Sequence, residues 1–217
     1  MNIKHLVEIA KERSIWTLGN KILYDLCKYN PGHKTPEEIV AKIWLIGRSY
    51  AAAIERRKNK TEGNDNFYEE VVVEALINSD LDLRLKQIKI CSKITENNVN
   101  EMLEVHKYLV DIFYGITEEY KRSLASKYLH FHLPNLFYIY DSRANNTLKK
   151  IKMLQNLKVK FPDGNYDNEY AKFSKKMYLL QMKIHEETGT LLTPRELDNI
   201  LLKENLKRIS INRFPNN

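Results

Sequence analysis

Cysteine, glycine, proline and long apolar runs are all scarce in this chain, and each scarcity closes off a class of protein. The two cysteines, Cys27 and Cys91, lie far apart and belong to no CxxC or Cys/His grouping, so neither a zinc nor an iron–sulfur centre is indicated; both read as reduced core thiols. No stretch approaches the roughly 18 consecutive apolar residues that read as a membrane span. The opening MNIKHLVEIAKERS is amphipathic and carries Glu8 and Glu12, unlike a signal or transit peptide. The expected setting is cytoplasmic, with no membrane partner. Only seven glycines and six prolines punctuate 217 residues, and no repeat or low-complexity tract is present.

What remains is apolar periodicity at three- and four-residue spacing. It predicts helices over 2–13, 15–29, 36–58, 66–79, 80–92, 97–114, 121–132, 142–157, 166–187 and 194–207, an all-α fold. Thr35-Pro36-Glu37-Glu38 and Thr193-Pro194-Arg195-Glu196 each place a Thr cap before a Pro at the first helical position, with Glu three residues after the Thr. One brief apolar run, Leu136 to Tyr140, follows Pro134 and reads as a buried extended linker. The polar stretch 58–66 is the expected connection between lobes. The chain length supports one domain over 1–217, divisible into lobes 1–60 with 150–217, and 61–149.

Lys and Arg outnumber Asp and Glu by 35 to 28, a net charge of +7. A surface of that sign attracts polyanions, so double-stranded DNA is the expected partner and a monomer the expected state. An AT-rich coding sequence, which favours Lys codons, accounts equally for the charge.

The segment Leu103 to Lys150 holds the chemistry. An apolar helix ends near Tyr114-Gly115, a short turn covers Ile116 to Tyr120, and a second helix carries Leu124-Ala125-Ser126-Lys127. The linker Phe137-Tyr138-Ile139-Tyr140 then delivers Asp141 to the start of a third helix. This order resembles the helix-hairpin-helix DNA glycosylase superfamily over about 45 residues. The resemblance implies a helical globule with a basic cleft, and an enzyme that flips a base out of duplex DNA and cleaves its N-glycosidic bond without a cofactor. Asp141 matches the catalytic carboxylate. Lys127 matches the nucleophile of the branch that also cuts the strand as an AP lyase.

The chemistry suits those residue types. Breaking the glycosidic bond develops positive charge on the sugar, which a carboxylate stabilises. An amine desolvated on an apolar helix holds its proton less tightly and can attack the anomeric carbon. Each residue also has a structural reading: Asp141 as a helix cap and Lys127 as a snorkelling surface side chain.

The family's hairpin usually has two glycines whose amides approach a phosphate, whereas this chain has Gly115 followed by Thr117. Thr117 and Ser123, at the next helix start, are the alternative donors. Arg143, Lys149, Lys150 and Lys152 add positive charge beside Asp141. Arg48, amid WLIG and YAAA, either pairs with a carboxylate or enters the cleft. With Trp16, Tyr50, His130 and His132 it makes the candidate base pocket. The two histidines alternate and share no helix face, so a metal site is not expected.

The incomplete hairpin is similar to a specialised bacterial branch that removes hypermodified cytosines, such as glucosylated hydroxymethylcytosine, from phage DNA. Alternatives are an oxidised purine, as in the lysine-using branch, and a non-catalytic DNA-binding protein on the same scaffold. A helical ribonuclease of the HEPN type needs a closely spaced Arg and His, and Arg122 stands too far before His130.

Overall fold

Helix is the regular structure found among the described residues, which are 3–58, 63–151, 154 and 164–213 of this computed structural model. In chain order the elements are α1 (Ile3–Lys11), α2 (Thr17–Tyr29) and α3 (Pro36–Ser49). Then α4 (Asn64–Asn66) passes through a π-helical stretch, Phe67–Val72, into α5 (Val73–Ile77). The remainder are α6 (Leu81–Ile88), α7 (Val99–Thr117), α8 (Arg122–His132), α9 (Ser142–Lys149), α10 (Asn168–Thr188) and α11 (Pro194–Arg213). The expected all-α architecture is therefore observed. No helix among the described residues is long and apolar enough to cross a membrane. Lys152 and residues 59–62 of the polar stretch 58–66 lie outside the described residues.

The helix α8 sits at the centre. Leu124 to Phe131 are all buried, the polar Ser126, Lys127 and His130 among them, so the helix is enclosed by others around its whole circumference. The helices α2, α3 and α7 surround it, while α11 packs on α1 and α9. Buried side chains from Ile3 to Leu201 form one contiguous core.

Two chain reversals shape the region that matters. The apolar pattern predicts helix from 36 through 58, but α3 stops at Ser49. Ala51 adopts the left-handed conformation, at φ 51°. Its amide bonds Arg48 O at 3.3 Å and the Ala52 amide bonds Gly47 O at 2.8 Å, a Schellman closure with alanine where glycine is usual. Gly47 makes the reversal possible, since a Cβ there would lie 3.2 Å from Ala53 Cα.

The second reversal joins α7 to α8. The expected hairpin glycine, Gly115, is inside the last turn of α7 and exposed; the helix runs on to Thr117. Glu118 makes the turn instead, left-handed at φ 55°, its amide bonding Tyr114 O at 2.8 Å.

The linker 136–140 is buried, so its backbone polar groups require partners. Side chains supply them. His130 Nδ1 donates to Phe137 O at 2.9 Å, and Tyr170 OH to Tyr138 O at 2.9 Å. The Tyr140 amide donates to Ser126 Oγ at 3.0 Å. Tyr140 O accepts from Lys127 Nζ at 2.9 Å and from Ser123 Oγ at 3.2 Å. This stapling fixes where the chain emerges, at Asp141.

Candidate active site

Asp141 emerges in extended conformation as the N-cap of α9, its Oδ1 accepting from the Ala144 amide at 2.7 Å. That bond satisfies an orphan amide and lays the carboxylate against the positive end of a helix dipole. It occupies one oxygen. Asp141 forms no ion pair among the described residues, and the side chain is part-exposed. It lines a cavity of about 340 Å³.

Four parts of the chain meet around that cavity: Tyr50 and Ala51 after α3, Tyr120 before α8, Ser123 and Lys127 on α8, and Tyr140 to Arg143 leading into α9. The volume is at the small end of the roughly 300–1,000 Å³ typical of ligand pockets. A second hollow of about 220 Å³ shares Ala51, Tyr120 and Ser123 with the first and adds Arg56 and Lys121. The joined furrow is lined by Arg56, Lys121, Arg122, Lys127 and Arg143 against Glu119 and Asp141. Its balance is positive, although Arg122 is largely compensated by a bidentate bond to Asp167 at 2.8–3.1 Å.

Lys127 is 2% exposed. Its ammonium donates to Ser123 Oγ at 2.6 Å and Tyr140 O at 2.9 Å, and stands 5.9 Å from the centre of the Tyr50 ring. Two of three N–H donors are thereby spent, and the group faces the same cavity as Asp141. Burial lowers its proton affinity below the ordinary lysine range; the charges of Asp141 and Asp198 oppose that shift, and those of Arg143 and Arg195 reinforce it.

Outside the cavity lining, but sharing the Tyr50 ring with Lys127, lies a pair that reads in the sequence only as a helix start. Arg195 and Asp198, on the first turns of α11, meet through Nη1 and Oδ2 at 3.2 Å. Asp198 is 2% exposed, and burial first, then Asp141, raises its carboxyl to about 6 despite the nearby cations. Arg195 Nη2 and Asp198 Oδ1 are both buried without a hydrogen-bond partner. The guanidinium carbon lies 5.6–5.9 Å from the ring centres of Tyr24, Tyr50 and Phe131. Arg195 Nε donates to Tyr24 OH at 3.0 Å. Because His130 Nδ1 is spent as a donor to Phe137 O, its Nε2 accepts from Tyr24 OH at 2.6 Å. The charge pattern around Asp141 could not announce this pair, since it lies more than fifty residues further along the chain and its hydrogen-bond partner Tyr24 is 171 residues from Arg195.

The other sequence-predicted residues fall into three groups. Ser123, Tyr50 and Arg143 are on the cavity wall. His130 and His132 are not: His130 is fully buried in the relay just described, and His132 donates from Nδ1 to Tyr128 O at 2.9 Å and stacks on His33. Trp16 is 68% exposed on a turn between α1 and α2, and Arg48 pairs with the buried Glu55, which also accepts from Tyr68 OH at 2.6 Å. That pairing is the alternative the sequence left open, and it takes Arg48 away from the cavity.

The phosphate-binding donors change as well. Thr117 is buried, and its hydroxyl donates to Phe113 O at 2.6 Å, so it is not presented to solvent. Gly115 is helical, inside the last turn of α7, and is not the residue that reverses the chain. Lys149 and Lys150 are exposed at the far end of α9, beyond the cavity lining. Among the described residues, no group of three His, Cys, Asp or Glu side chains is placed to hold a metal ion.

Comparison with models of known protein families, with curated proteins and with solved structures finds no match.

Proposed function

We propose that the chain is a helix-hairpin-helix-type DNA glycosylase that receives a nucleotide, flipped from duplex DNA, in the furrow beside α8. The observation that carries this reading is the meeting of Lys127 and Asp141 on one cavity wall, from different elements, with a positive rim around them. The element order also supports it: apolar helix, tight turn, enclosed helix, stapled linker, carboxylate at a helix start.

In this account Asp141 lies beside the sugar, where its free oxygen stabilises the positive charge that grows as the C1′–N bond lengthens and the base leaves with the bonding pair. Lys127, as the free amine, then bonds to C1′; opening of the sugar ring leaves a Schiff base to the enzyme. Arg143 and Arg56 provide charge for the flanking phosphates in place of the hairpin amides. Tyr50 and Tyr120 supply rings for the extruded base. The substrate is a damaged or modified base, with glucosylated hydroxymethylcytosine and oxidised purines as the two candidates.

A specific observation favours a second reading. Asp141 caps Ala144 and Lys127 caps Tyr140 O, so both residues already have structural work, as in a silent DNA-binding protein. Product formation separates the two. Duplexes carrying a panel of modified bases should yield abasic sites with the wild-type protein, and the yield should collapse in Asp141→Asn; wild-type rates in that variant would remove the mechanism.

A further inference from the structure

We propose that the buried Arg195–Asp198 pair of α11, which shares the Tyr50 ring with Lys127, is a positioning pair that never touches substrate but fixes how readily Lys127 gives up its proton. The inference rests on the reading of Lys127 as a nucleophile, and it deepens that reading.

Its basis is geometric. A buried ion pair is electrostatically quiet when its contacts are bidentate and complete. This one has a single 3.2 Å contact, while the outer nitrogen of Arg195 and the outer oxygen of Asp198 are buried and unpartnered. The two charges are therefore incompletely cancelled in a medium that screens poorly. Lys127 shares an aromatic wall with them: Arg195 and Lys127 stand 5.7 and 5.9 Å from the same Tyr50 ring. The relay from Arg195 through Tyr24 and His130 to Phe137 O holds the guanidinium in place, and its last acceptor belongs to the same linker that carries Tyr140 and Asp141.

The charged and titratable groups acting on Lys127 are Asp141 and Arg143 of the α9 start and Asp198 and Arg195 of α11, the carboxylates favouring the ammonium and the guanidiniums disfavouring it. The same set acts on Asp198. Neutralising Asp198 alone leaves Arg195 as an uncompensated cation behind the lysine. Neutralising both removes opposite charges together, a change buried ion pairs tolerate better than the loss of one partner.

The test follows the titration of Lys127 itself, with no DNA present. Protein labelled with ¹³C at the lysine ε-carbon gives one signal per lysine, and Lys127 is assigned by its disappearance in Lys127→Arg. In Asp198→Asn the midpoint should fall by at least about half a pH unit, roughly a threefold loss of proton affinity. In the double variant Asp198→Asn with Arg195→Met it should return most of the way to the wild-type value, and Arg195→Lys, which keeps the charge, should match wild type. A midpoint unmoved in Asp198→Asn, or equally depressed in the double variant, overturns the proposal. Because no substrate is involved, a shifted midpoint alongside an absence of base excision would sink the glycosylase reading and leave this inference standing; excision with an unmoved midpoint would do the reverse.

Discussion

Among the described residues, two lysines are buried with their ammonium groups on backbone carbonyls. Lys42, 0% exposed, donates to Asn30 O at 2.9 Å and to Gly32 O, closing the loop between α2 and α3. Lys127 donates to Tyr140 O and Ser123 Oγ. Burial lowers the proton affinity of both. What separates them is surroundings: Lys42 is spent on the α2–α3 loop beside His33, itself held between Asp82 at 2.6 Å and Tyr128 OH at 2.6 Å, whereas Lys127 lines a cavity together with the carboxylate of Asp141. A depressed lysine is therefore no mark of a site by itself. A hollow shared with a carboxylate is the better sign.

The largest effect expected from this contrast is chemical. Asp141→Asn should lower base excision by about 10²–10³-fold, the scale of losing one preorganised electrostatic group. Its stability should stay within about 1 kcal/mol of wild type, because Asn caps a helix as well as Asp does; urea melts alongside excision rates check both halves.

The buried histidines packed around α8 should show themselves in acid. His132 and His106 are pushed down to about 3 and about 4, by burial first, and His130 and His33 also lie below the ordinary range for the same reason. A histidine whose folded value is depressed leaves stability intact above about pH 6.5 and removes it as the pH falls through that value towards the folded one. His106 alone is worth on the order of 3 kcal/mol. Asp198 acts oppositely: its raised carboxyl contributes most below about pH 4, and that contribution is lost as pH rises through about 6. Melting temperature should therefore fall between pH 7 and 4.5, and fall more steeply in Asp198→Asn. A flat profile would contradict the burial of these rings as neutral groups.

Stability should also separate the lysines. Lys42→Met strands the Asn30 and Gly32 carbonyls and should cost about 2–3 kcal/mol in urea unfolding. Lys127→Met should cost about 1 kcal/mol, since Ser123 and Ser126 still donate to Tyr140 O. The smallest effect belongs to the cavity's edge. Ala51→Gly should raise stability by about 1 kcal/mol, because the left-handed conformation suits glycine better.

Much of the scaffold was readable because helices announce themselves locally. The Thr35 cap accepts from the Glu38 amide at 3.4 Å, and Thr193 and Glu196 exchange bonds at 2.7–3.3 Å across the start of α11, as their spacing implies. The buried linker and the Asp141 cap were equally legible, through Pro134 and the DSRAN helix start. Boundaries set by left-handed residues were not. Ala51 and Glu118 carry no sequence signal for that conformation, so the apolar pattern runs past the end of α3, and the turn expected over 116–120 is made by Glu118 rather than by the neighbouring Gly115. The Arg195–Asp198 pair was hidden for a different reason. PRELD is a sound helix opening on its own, and only folding brings Tyr24 against Arg195 across 171 positions. Arg48 was ambiguous because Glu55, its partner, sits beyond a reversal the periodicity did not reveal.

The most direct measurement is borohydride trapping of the protein on duplex DNA carrying an abasic site, followed by mass spectrometric mapping of the cross-linked peptide. An adduct on Lys127, present in Lys42→Met and lost in Lys127→Ala, is the outcome expected if amine and carboxylate share a working cavity. An adduct on another lysine, or none with DNA whose base the protein excises, would contradict it.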